Sequence, residues 1–195
     1  MGVAQNFIIP VPGQAAEPTG PTIVCNNDVS AYSAVLPADG YWLLWTLGPA
    51  NAGTLSQPGL TTAEIAWNPD FEGVAELLVQ GVNECDTGVV SPVLHIQVNA
   101  VPQPVVAGDA IVCTLEETVY SVAATAGSTY TWNVSGGAIT TGQGTHEITI
   151  EWGATAGTGS VMVTEESEQG CAGNSALFPV EIEVCSGMGD TFTSG

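Results

Sequence analysis

The sequence predicts an all-β protein made of two similar β-sandwich domains in tandem. One pattern of cysteines and tryptophans occurs twice, at offsets of 85 to 88 residues, with the equivalent pairs Cys25 and Cys113, Trp45 and Trp132, Trp67 and Trp152, Cys85 and Cys171. Short runs such as 130–134 alternate apolar and polar residues, and no segment keeps a helical period. Turn residues rich in Gly, Pro and Asn separate these runs. Each copy has about the length of a seven-stranded sandwich of roughly 100 residues.

The alternating runs predict six strands in the first copy and seven in the second. Those of the first copy are expected at 22–25, 31–35, 41–47, 62–67, 74–81 and 89–98. Those of the second copy are expected at 110–113, 118–122, 129–134, 138–141, 147–152, 160–164 and 176–184. Because alternate residues of a strand face opposite sides of a sheet, Trp42 and Trp45 are expected on opposite faces, with Trp45 and its equivalent Trp132 in the core.

The repeat sets the expected domain boundaries. They are an N-terminal segment over 1–20, a first domain over 21–100, a linker over 101–108, a second domain over 109–185 and a tail over 186–195. Residues 6–25 resemble 94–113, so the N-terminal segment reads as the last strand and linker of a preceding repeat, or else as a first strand of the first domain. The Pro-containing linker predicts a semi-rigid rod of two domains, cut from a longer array.

Charge excludes several classes of partner. The chain has no Lys or Arg and 20 Asp plus Glu, which gives a formal net charge of -20. A surface of one negative sign repels nucleic-acid phosphates and anionic lipid headgroups, so we expect no nucleic-acid binding and no membrane insertion. Ion pairs with Lys or Arg cannot form, and stability is expected to rise with ionic strength, because salt screens the repulsion among carboxylates.

Four of the five cysteines lie at equivalent positions of the two copies. This placement predicts one disulfide within each domain, Cys25 with Cys85 and Cys113 with Cys171, at separations of 60 and 58 residues. In the chain-entropy model each would contribute about 4 kcal/mol, and both imply an oxidising compartment outside the cytoplasm. Cys185 is then left over as a free thiol, an interchain bond or part of a further repeat. An export signal is expected on a longer precursor, since none is visible here.

Catalytic residues are not apparent in the sequence. His95 lies within an alternating strand and His146 precedes another strand, and neither has a nucleophile spaced to form a triad. We therefore predict that the protein is not an enzyme and that it has no cofactor, with calcium as the one exception to be considered. Calcium needs six to eight oxygen ligands. The candidates are Asp109, Glu116 and Glu117, near the linker, where a bound ion would stiffen the junction.

Aromatic residues suggest a binding platform. Tyr41 and Trp42 are adjacent at the start of the strand that leads to Trp45. If Trp45 is in the core, Trp42 is exposed and could stack on a sugar ring or be covered by a neighbouring domain.

The second copy resembles a known family. The segments that carry the resemblance are VYSV over 119–122, TYTW over 129–132, GGAITTGQG over 136–144, ITIEWG over 148–153 and GTGSV over 157–161. They are similar to the PKD-like, immunoglobulin-like repeats of large secreted proteins of Bacteroidota, which include gliding-motility-associated adhesins exported by the type IX secretion system. The first copy departs from this pattern at 50–53 and 68–70. The resemblance implies two tandem immunoglobulin-like, PKD-like β-sandwiches.

These observations predict a non-enzymatic structural or adhesive repeat module of a bacterial cell-surface or secreted protein, such as a stalk, adhesin or filament segment. Its expected partners are neighbouring repeats or like chains, and a surface glycan or protein receptor. One alternative is a carbohydrate- or other ligand-binding accessory module. Another is a fibre subunit in which the terminal strand around 7–11 pairs with a sheet edge of the next chain.

Overall fold

The computed structural model describes residues 9–185, and this part of the chain contains strands and turns but no helix. The chain divides into two compact units, Met1–Val101 and Pro102–Gly195, here called unit 1 and unit 2. The all-β prediction is therefore confirmed for the described residues.

Within residues 9–101, unit 1 contains seven strands in two sheets. They are β1 (Ile23–Cys25), β2 (Val29–Ser33), β3 (Trp42–Gly48), β4 (Gly53–Ser56), β5 (Thr62–Trp67), β6 (Gly73–Val82) and β7 (Leu94–Asn99). One sheet has the order β1-β7-β6-β3 and the other the order β2-β5-β4. The first strand pairs in parallel with the last, β1 with β7, and the remaining pairs are antiparallel.

Unit 2 repeats this arrangement. Its strands are β8 (Ile111–Cys113), β9 (Glu117–Ser121), β10 (Thr129–Ser135), β11 (Gly137–Thr141), β12 (Glu147–Trp152), β13 (Gly157–Glu166), β14 (Ala172–Asn174) and β15 (Phe178–Glu183). The sheets have the orders β10-β13-β15-β8 and β11-β12-β9, and the short β14 adds to β13. β8 again pairs in parallel with β15.

Each unit has one hydrophobic core, to which both of its sheets contribute. In unit 1, Tyr32 and Ile65 of the three-stranded sheet belong to the same buried cluster as Trp45 and Val79 of the four-stranded sheet. Burial alternates along the strands, as in β5, where every second residue is buried. Unit 2 has the equivalent cluster. The fold therefore depends on apolar burial between sheets, as expected for a chain without cationic side chains.

The strand predictions were most accurate for buried central strands. The ranges 62–67 and 147–152 coincide with β5 and β12. β4 and β14 were missed, because short polar sequences such as GTLS and AGN carry no hydrophobic alternation and become strands only through a neighbour. The range 89–98 was too long: β7 begins at Leu94, after a stretch in which Ser91 bonds to the backbone of Val79.

A tyrosine and a glycine form the same structural device in both units. The hydroxyl of Tyr32 donates to the carbonyl of Pro21 at 3.1 Å, and that of Tyr120 donates to the carbonyl of Asp109 at 2.6 Å. Each ring lies against a glycine: a Cβ on Gly20 would stand 2.3 Å from Tyr32, and one on Gly108 would stand 2.2 Å from Tyr120. A ring can pack this closely against the backbone only where there is no side chain.

The predicted disulfides are wrong. Cys113 is bonded to Cys185, with a Cα–Cα distance of 5.4 Å, and Cys85 is a free, exposed cysteine. Cys113 is therefore not bonded to Cys171, and Cys25 is not bonded to Cys85. The parallel pairing of β8 with β15 explains the first result, because it sets Cys113 opposite Glu183, two residues before Cys185.

The long central strand of each unit separates the two cysteines of each predicted bond. Cys113 lies beside the start of β13 and Cys171 follows its end, and ten residues at about 3.3 Å each span about 30 Å. Cys25 and Cys85 stand in the same relation to β6. A disulfide needs Cα atoms within about 7 Å, so neither predicted bond can form.

Unit 1 has no cysteine at the position of Cys185, which the strand register assigns to Val101. A buried asparagine ties the ends together instead. Asn26 accepts from the N–H of Val101 at 2.8 Å and donates to the carbonyls of Pro69 at 2.6 Å and Phe71 at 3.4 Å. Its own N–H donates to the carbonyl of Asn99 at 2.8 Å. Hydrogen bonds at this end of unit 1 therefore replace the covalent bond of unit 2.

Candidate functional site

The outer face of the four-stranded sheet in unit 1 is apolar around the predicted platform. The register sets Trp42 opposite Val82, Leu44 opposite Gln80 and Thr46 opposite Leu78. Trp42 and Leu44 are 40% and 44% exposed, whereas Trp45 is 5% exposed. Trp42 and Trp45 thus lie on opposite faces, as the strand period predicted. We call Trp42, Leu44, Leu78 and Val82 the outer patch.

Unit 2 has a largely polar surface at the equivalent positions. Because Trp45 pairs with Val79 and Trp132 pairs with Val163, the two registers can be superposed residue by residue. The outer patch of unit 1 then corresponds to Thr129, Thr131, Met162 and Glu166. The apolar face is therefore a property of unit 1 and not a requirement of the fold.

A groove borders the outer patch along β3. It has a volume of about 500 Å³ and lies between the outer edge of β3 and the loop that joins β4 to β5, lined by Trp42, Leu43, Gln57, Pro58, Gly59 and Leu60. β3 is the end strand of its sheet, so one side of its backbone has no strand neighbour. The amide of Gln57 donates to the carbonyl of Leu43 at 3.3 Å.

The backbone groups of Trp45 face this free edge. Its partner Val79 uses its own N–H and C=O on the opposite side, where both bond to Ser91 at 3.0 and 2.9 Å. Trp45 and Val79 are therefore a non-hydrogen-bonded pair of the antiparallel ladder, and the N–H and C=O of Trp45 point away from β6. The indole Nε1 of Trp45 is buried and has no hydrogen-bond partner among residues 9–185.

The same edge is closed in unit 2. The side-chain amide of Gln143 accepts from the N–H of Trp132 and donates to its C=O, both at 3.1 Å. The indole of Trp132 donates to the carbonyl of Thr145 at 2.8 Å, and Tyr130 forms an antiparallel bridge with Gly144. Unit 2 thus fills the edge of β10 with its own loop.

One substitution accounts for much of the difference. Counting back from the paired tryptophans Trp67 and Trp152, Pro58 stands at the position of Gln143 and Leu60 at that of Thr145. Proline has no side-chain amide and cannot close the edge as Gln143 does. The sequence contained this signal, but its meaning depends on knowing that Gln143 bonds to Trp132.

Two tyrosines have perturbed acidity. Burial raises the pKa of Tyr32 to about 12, partly offset by a hydrogen bond with Ser30. Burial also raises the pKa of Tyr120 above its usual value, opposed by the hydrogen bond with Thr118 and reinforced by the nearby carboxylate of Asp109. Both hydroxyls belong to the repeated tyrosine and glycine device, so we assign them a structural role.

The remaining candidates are dispersed. His95 Nδ1 lies 4.0 Å from Glu76 Oε1 on an exposed face, and His146 lies in the loop before β12. Asp109, Glu116 and Glu117 are exposed, and the carboxylate of Glu116 accepts from the N–H of Cys113 at 2.7 Å. Within residues 9–185, no group of three or more His, Cys, Asp or Glu is placed to hold a metal ion, so the calcium prediction gains no support.

The described residues also include no helix long and apolar enough to cross a membrane.

Comparisons with solved structures give distant similarities. The chain is 17% identical to fibronectin(III)-like modules of Clostridium thermocellum CbhA, with a TM-score of 0.39 over 86% of this chain and 93% of that one. It is 11% identical to the chicken CNTN1 FN1-FN3 domains, with a TM-score of 0.40 over 89% and 68%. For an I-band fragment of titin the identity is 9% and the TM-score 0.42, over 86% and 65%.

No curated protein matches this chain. Residues 99–180, which include most of unit 2, match the family described as the PKD-like domain. The PKD-like resemblance predicted from the motifs of the second copy is confirmed at this level, and the match supports an immunoglobulin-like, PKD-like β-sandwich.

Proposed function

We propose that the chain is a non-enzymatic structural or adhesive module of a bacterial cell-surface or secreted protein, a segment of a stalk, adhesin or filament. The observation that carries this proposal is repetition. The tyrosine and glycine device and the buried tryptophans recur at equivalent positions of both units. The histidines do not recur, since His95 corresponds to Pro179 and His146 to Thr61. What is repeated is therefore the framework.

The disulfide supports an extracellular location. A bond between Cys113 and Cys185 closes unit 2, and structural disulfides persist in oxidising compartments. The PKD-like match of residues 99–180 points the same way. The link to gliding motility and type IX secretion in Bacteroidota rests on the motif resemblance.

Localisation and oligomeric state test this proposal together. An antibody against the chain should label intact producing cells, or detect the protein in their medium, without permeabilisation. Size-exclusion chromatography with light scattering should give a monomer at all concentrations for a spacer module. Signal that requires permeabilised cells would contradict the extracellular assignment.

A carbohydrate-binding module is the second candidate, because Tyr41 and Trp42 are 51% and 40% exposed next to each other. An exposed indole face can stack on a sugar ring. A glycan array should then show binding that Trp42→Ala removes. Binding that survives Trp42→Ala would reject the platform.

Self-assembly by strand exchange is the third candidate. Residues 7 and 8 of the proposed donor strand lie outside the described residues. Within the described part, the carbonyl of Pro10 accepts from Asn83 at 2.8 Å and Gly13 donates to Ala38 at 2.9 Å, so exchange would have to break bonds within unit 1. Concentration-dependent polymers in the light-scattering experiment would favour this candidate over the spacer.

A further inference from the structure

The free edge of β3 has an unused hydrogen-bonding pattern. The N–H and C=O of Trp45 point outward, and its indole N–H is buried without a partner among the described residues. A buried donor left unpaired is destabilising, so a partner for it would be favourable. In unit 2 the equivalent indole donates into the loop at Thr145, whose counterpart Leu60 lines the groove. In unit 1 the Trp45 indole makes no such bond among the described residues, although the corresponding loop lines the groove.

Unit 2 shows which chemistry fits such an edge. In unit 2 the side-chain amide of Gln143 accepts a hydrogen bond from the backbone N–H of Trp132 and donates one to its C=O. The backbone carbonyl of Thr145 accepts from the Trp132 indole. An amide and a carbonyl in this arrangement are what one extended peptide strand presents to its neighbour. At the edge of β3, Gln57 of the loop donates to the carbonyl of Leu43, which leaves the N–H and C=O of Trp45 for an added strand.

The groove also has the apolar surface that a peptide would need. Trp42 and Leu60 flank it and are 40% and 67% exposed. An added strand would direct alternate side chains toward the face that carries the outer patch, and Trp42 and Leu44 would cover them. Backbone bonds would supply affinity, and these two residues would select apolar side chains.

Charge restricts which kind of chain could bind in the groove along β3. Asp39, Glu84 and Asp86 are exposed in the turns at the Trp42 end of β3, where Asn83 bonds to the backbone of Asp39 and Asp86. The whole chain has a net charge of -20 and no Lys or Arg. A second copy of the chain would be repelled, whereas a peptide with Lys or Arg at its end would be attracted.

We propose that the groove along β3 binds an extended, basic peptide segment of another protein as an additional strand, paired with Trp45 and packed on Trp42 and its apolar neighbours Leu44 and Leu60. This inference goes beyond the proposed function, because a spacer module needs no ligand. Its failure would leave the spacer proposal unchanged.

The direct test is a titration followed by nuclear magnetic resonance of the isotope-labelled full chain. The test peptide is an acetylated and amidated nonapeptide, Lys-Thr-Val-Thr-Val-Thr-Val-Thr-Lys. The five tryptophans give five indole signals, so Trp132 serves as an internal control for Trp45. We expect the indole and backbone N–H signals of Trp45 to shift downfield as they gain hydrogen bonds, while those of Trp132 stay fixed. No shift at Trp45 in millimolar peptide would overturn the proposal.

Two altered peptides identify the mode of binding. The same peptide with its central amides N-methylated cannot pair as a strand, and we expect it to bind at least about tenfold more weakly, the loss of one or two hydrogen bonds. A version with Glu in place of Lys should also bind more weakly, with the difference shrinking at high salt. Equal binding of the methylated peptide would show apolar adhesion and reject the added strand. Shifts caused by concentrating the chain alone would instead identify a second copy as the occupant.

The tandem repeat provides a matched variant. Pro58→Gln places the residue of unit 2 at the equivalent position of unit 1, and we expect it to close the edge and weaken peptide binding at least about tenfold. Trp42→Thr, which copies Thr129, should weaken binding while leaving the Trp45 backbone free to respond. Peptide affinity unchanged in both variants would overturn the assignment of the groove.

Discussion

Asn26 accepts a hydrogen bond from the backbone N–H of Val101 at 2.8 Å, in the place where unit 2 joins Cys113 to Cys185 by a disulfide. The two units therefore secure the same junction, between the first strand and the residue that follows the last strand, by different chemistry. Asn26 is 6% exposed, so its three side-chain partners have no ready access to water if it is removed.

Replacing Asn26 should destabilise unit 1. Asn26→Ala leaves the N–H of Val101 and the carbonyl of Pro69 without partners, and we expect the free energy of unfolding to fall by about 2 to 3 kcal/mol. Denaturant unfolding followed by tryptophan fluorescence measures this. Asn133→Ala, at an exposed position of β10, is the control and should change stability by less than about 0.5 kcal/mol. If Asn26→Ala lowers the free energy of unfolding no more than Asn133→Ala does, the Asn26 hydrogen bonds make no net contribution to stability.

Breaking the disulfide should destabilise unit 2. The bond closes a separation of 72 residues, and the chain-entropy model assigns about 4 kcal/mol to such a loop. Cys185→Ser should therefore lower the melting temperature of unit 2 in calorimetry, whereas Cys85→Ser at the exposed free cysteine should have little effect.

Peptide mapping checks the same bond chemically. Since the chain has no Lys or Arg for trypsin, digestion after Glu under non-reducing conditions is required. We expect a fragment in which Cys113 is linked to Cys185, and Cys85 alkylated in the folded protein. A linkage of Cys113 to Cys171 would contradict the structure.

Alkaline pH should destabilise the folded protein, because two buried tyrosine hydroxyls have raised pKa values. The phenol of an unfolded chain titrates near 10, and burial raises the pKa of Tyr32 to about 12 in the folded state. Between these values the folded state binds more protons, so stability falls as pH rises. The contribution of Tyr32 is complete below about pH 10 and is lost as the pH rises through about 12. Tyr120 acts in the same direction.

Melting temperatures between pH 8 and 12 and the absorbance of the phenolate measure this effect. Tyr32→Phe should cost about 1 kcal/mol at neutral pH, for the lost bond to Pro21, and should flatten the alkaline decline. An unchanged decline in Tyr32→Phe would assign the pH dependence to other groups.

A methyl group on Gly108 should disturb the tyrosine that packs against it. Its Cβ would stand 2.2 Å from the Tyr120 ring, so the ring must move away from its bond with Asp109. We expect Gly108→Ala to lower stability by about 1 to 3 kcal/mol, as overpacked cores do. Gly157→Ala, where a Cβ meets nothing within 4 Å, is the matched control. Equal effects of the two substitutions would contradict the packing role of Gly108.

The sequence was sufficient to predict which side chains are buried wherever apolar and polar residues alternate along a strand. Trp45 and Trp132 were expected in the core, and both are buried, because alternation along a strand fixes which face each side chain takes. The PKD-like match of residues 99–180 was likewise indicated by motifs of the second copy. Edge strands such as β4 carry no such period, and their pairing depends on a neighbouring strand.

The pairing of the cysteines could not be predicted from the sequence. Equivalent positions in two copies suggested bonds within each copy, but bond formation depends on distance in space, and β6 and β13 hold those pairs apart. Only the parallel pairing of β8 with β15 brought Cys113 to Cys185.

By itself the sequence determined the class of fold and the repeat, since these depend on composition and on local periodicity. The tertiary structure alone decided the disulfide, the Asn26 network and the open edge at Trp45. The first two join residues far apart in the chain, such as Asn26 and Val101, whose contact is set by strand pairing and has no local signature.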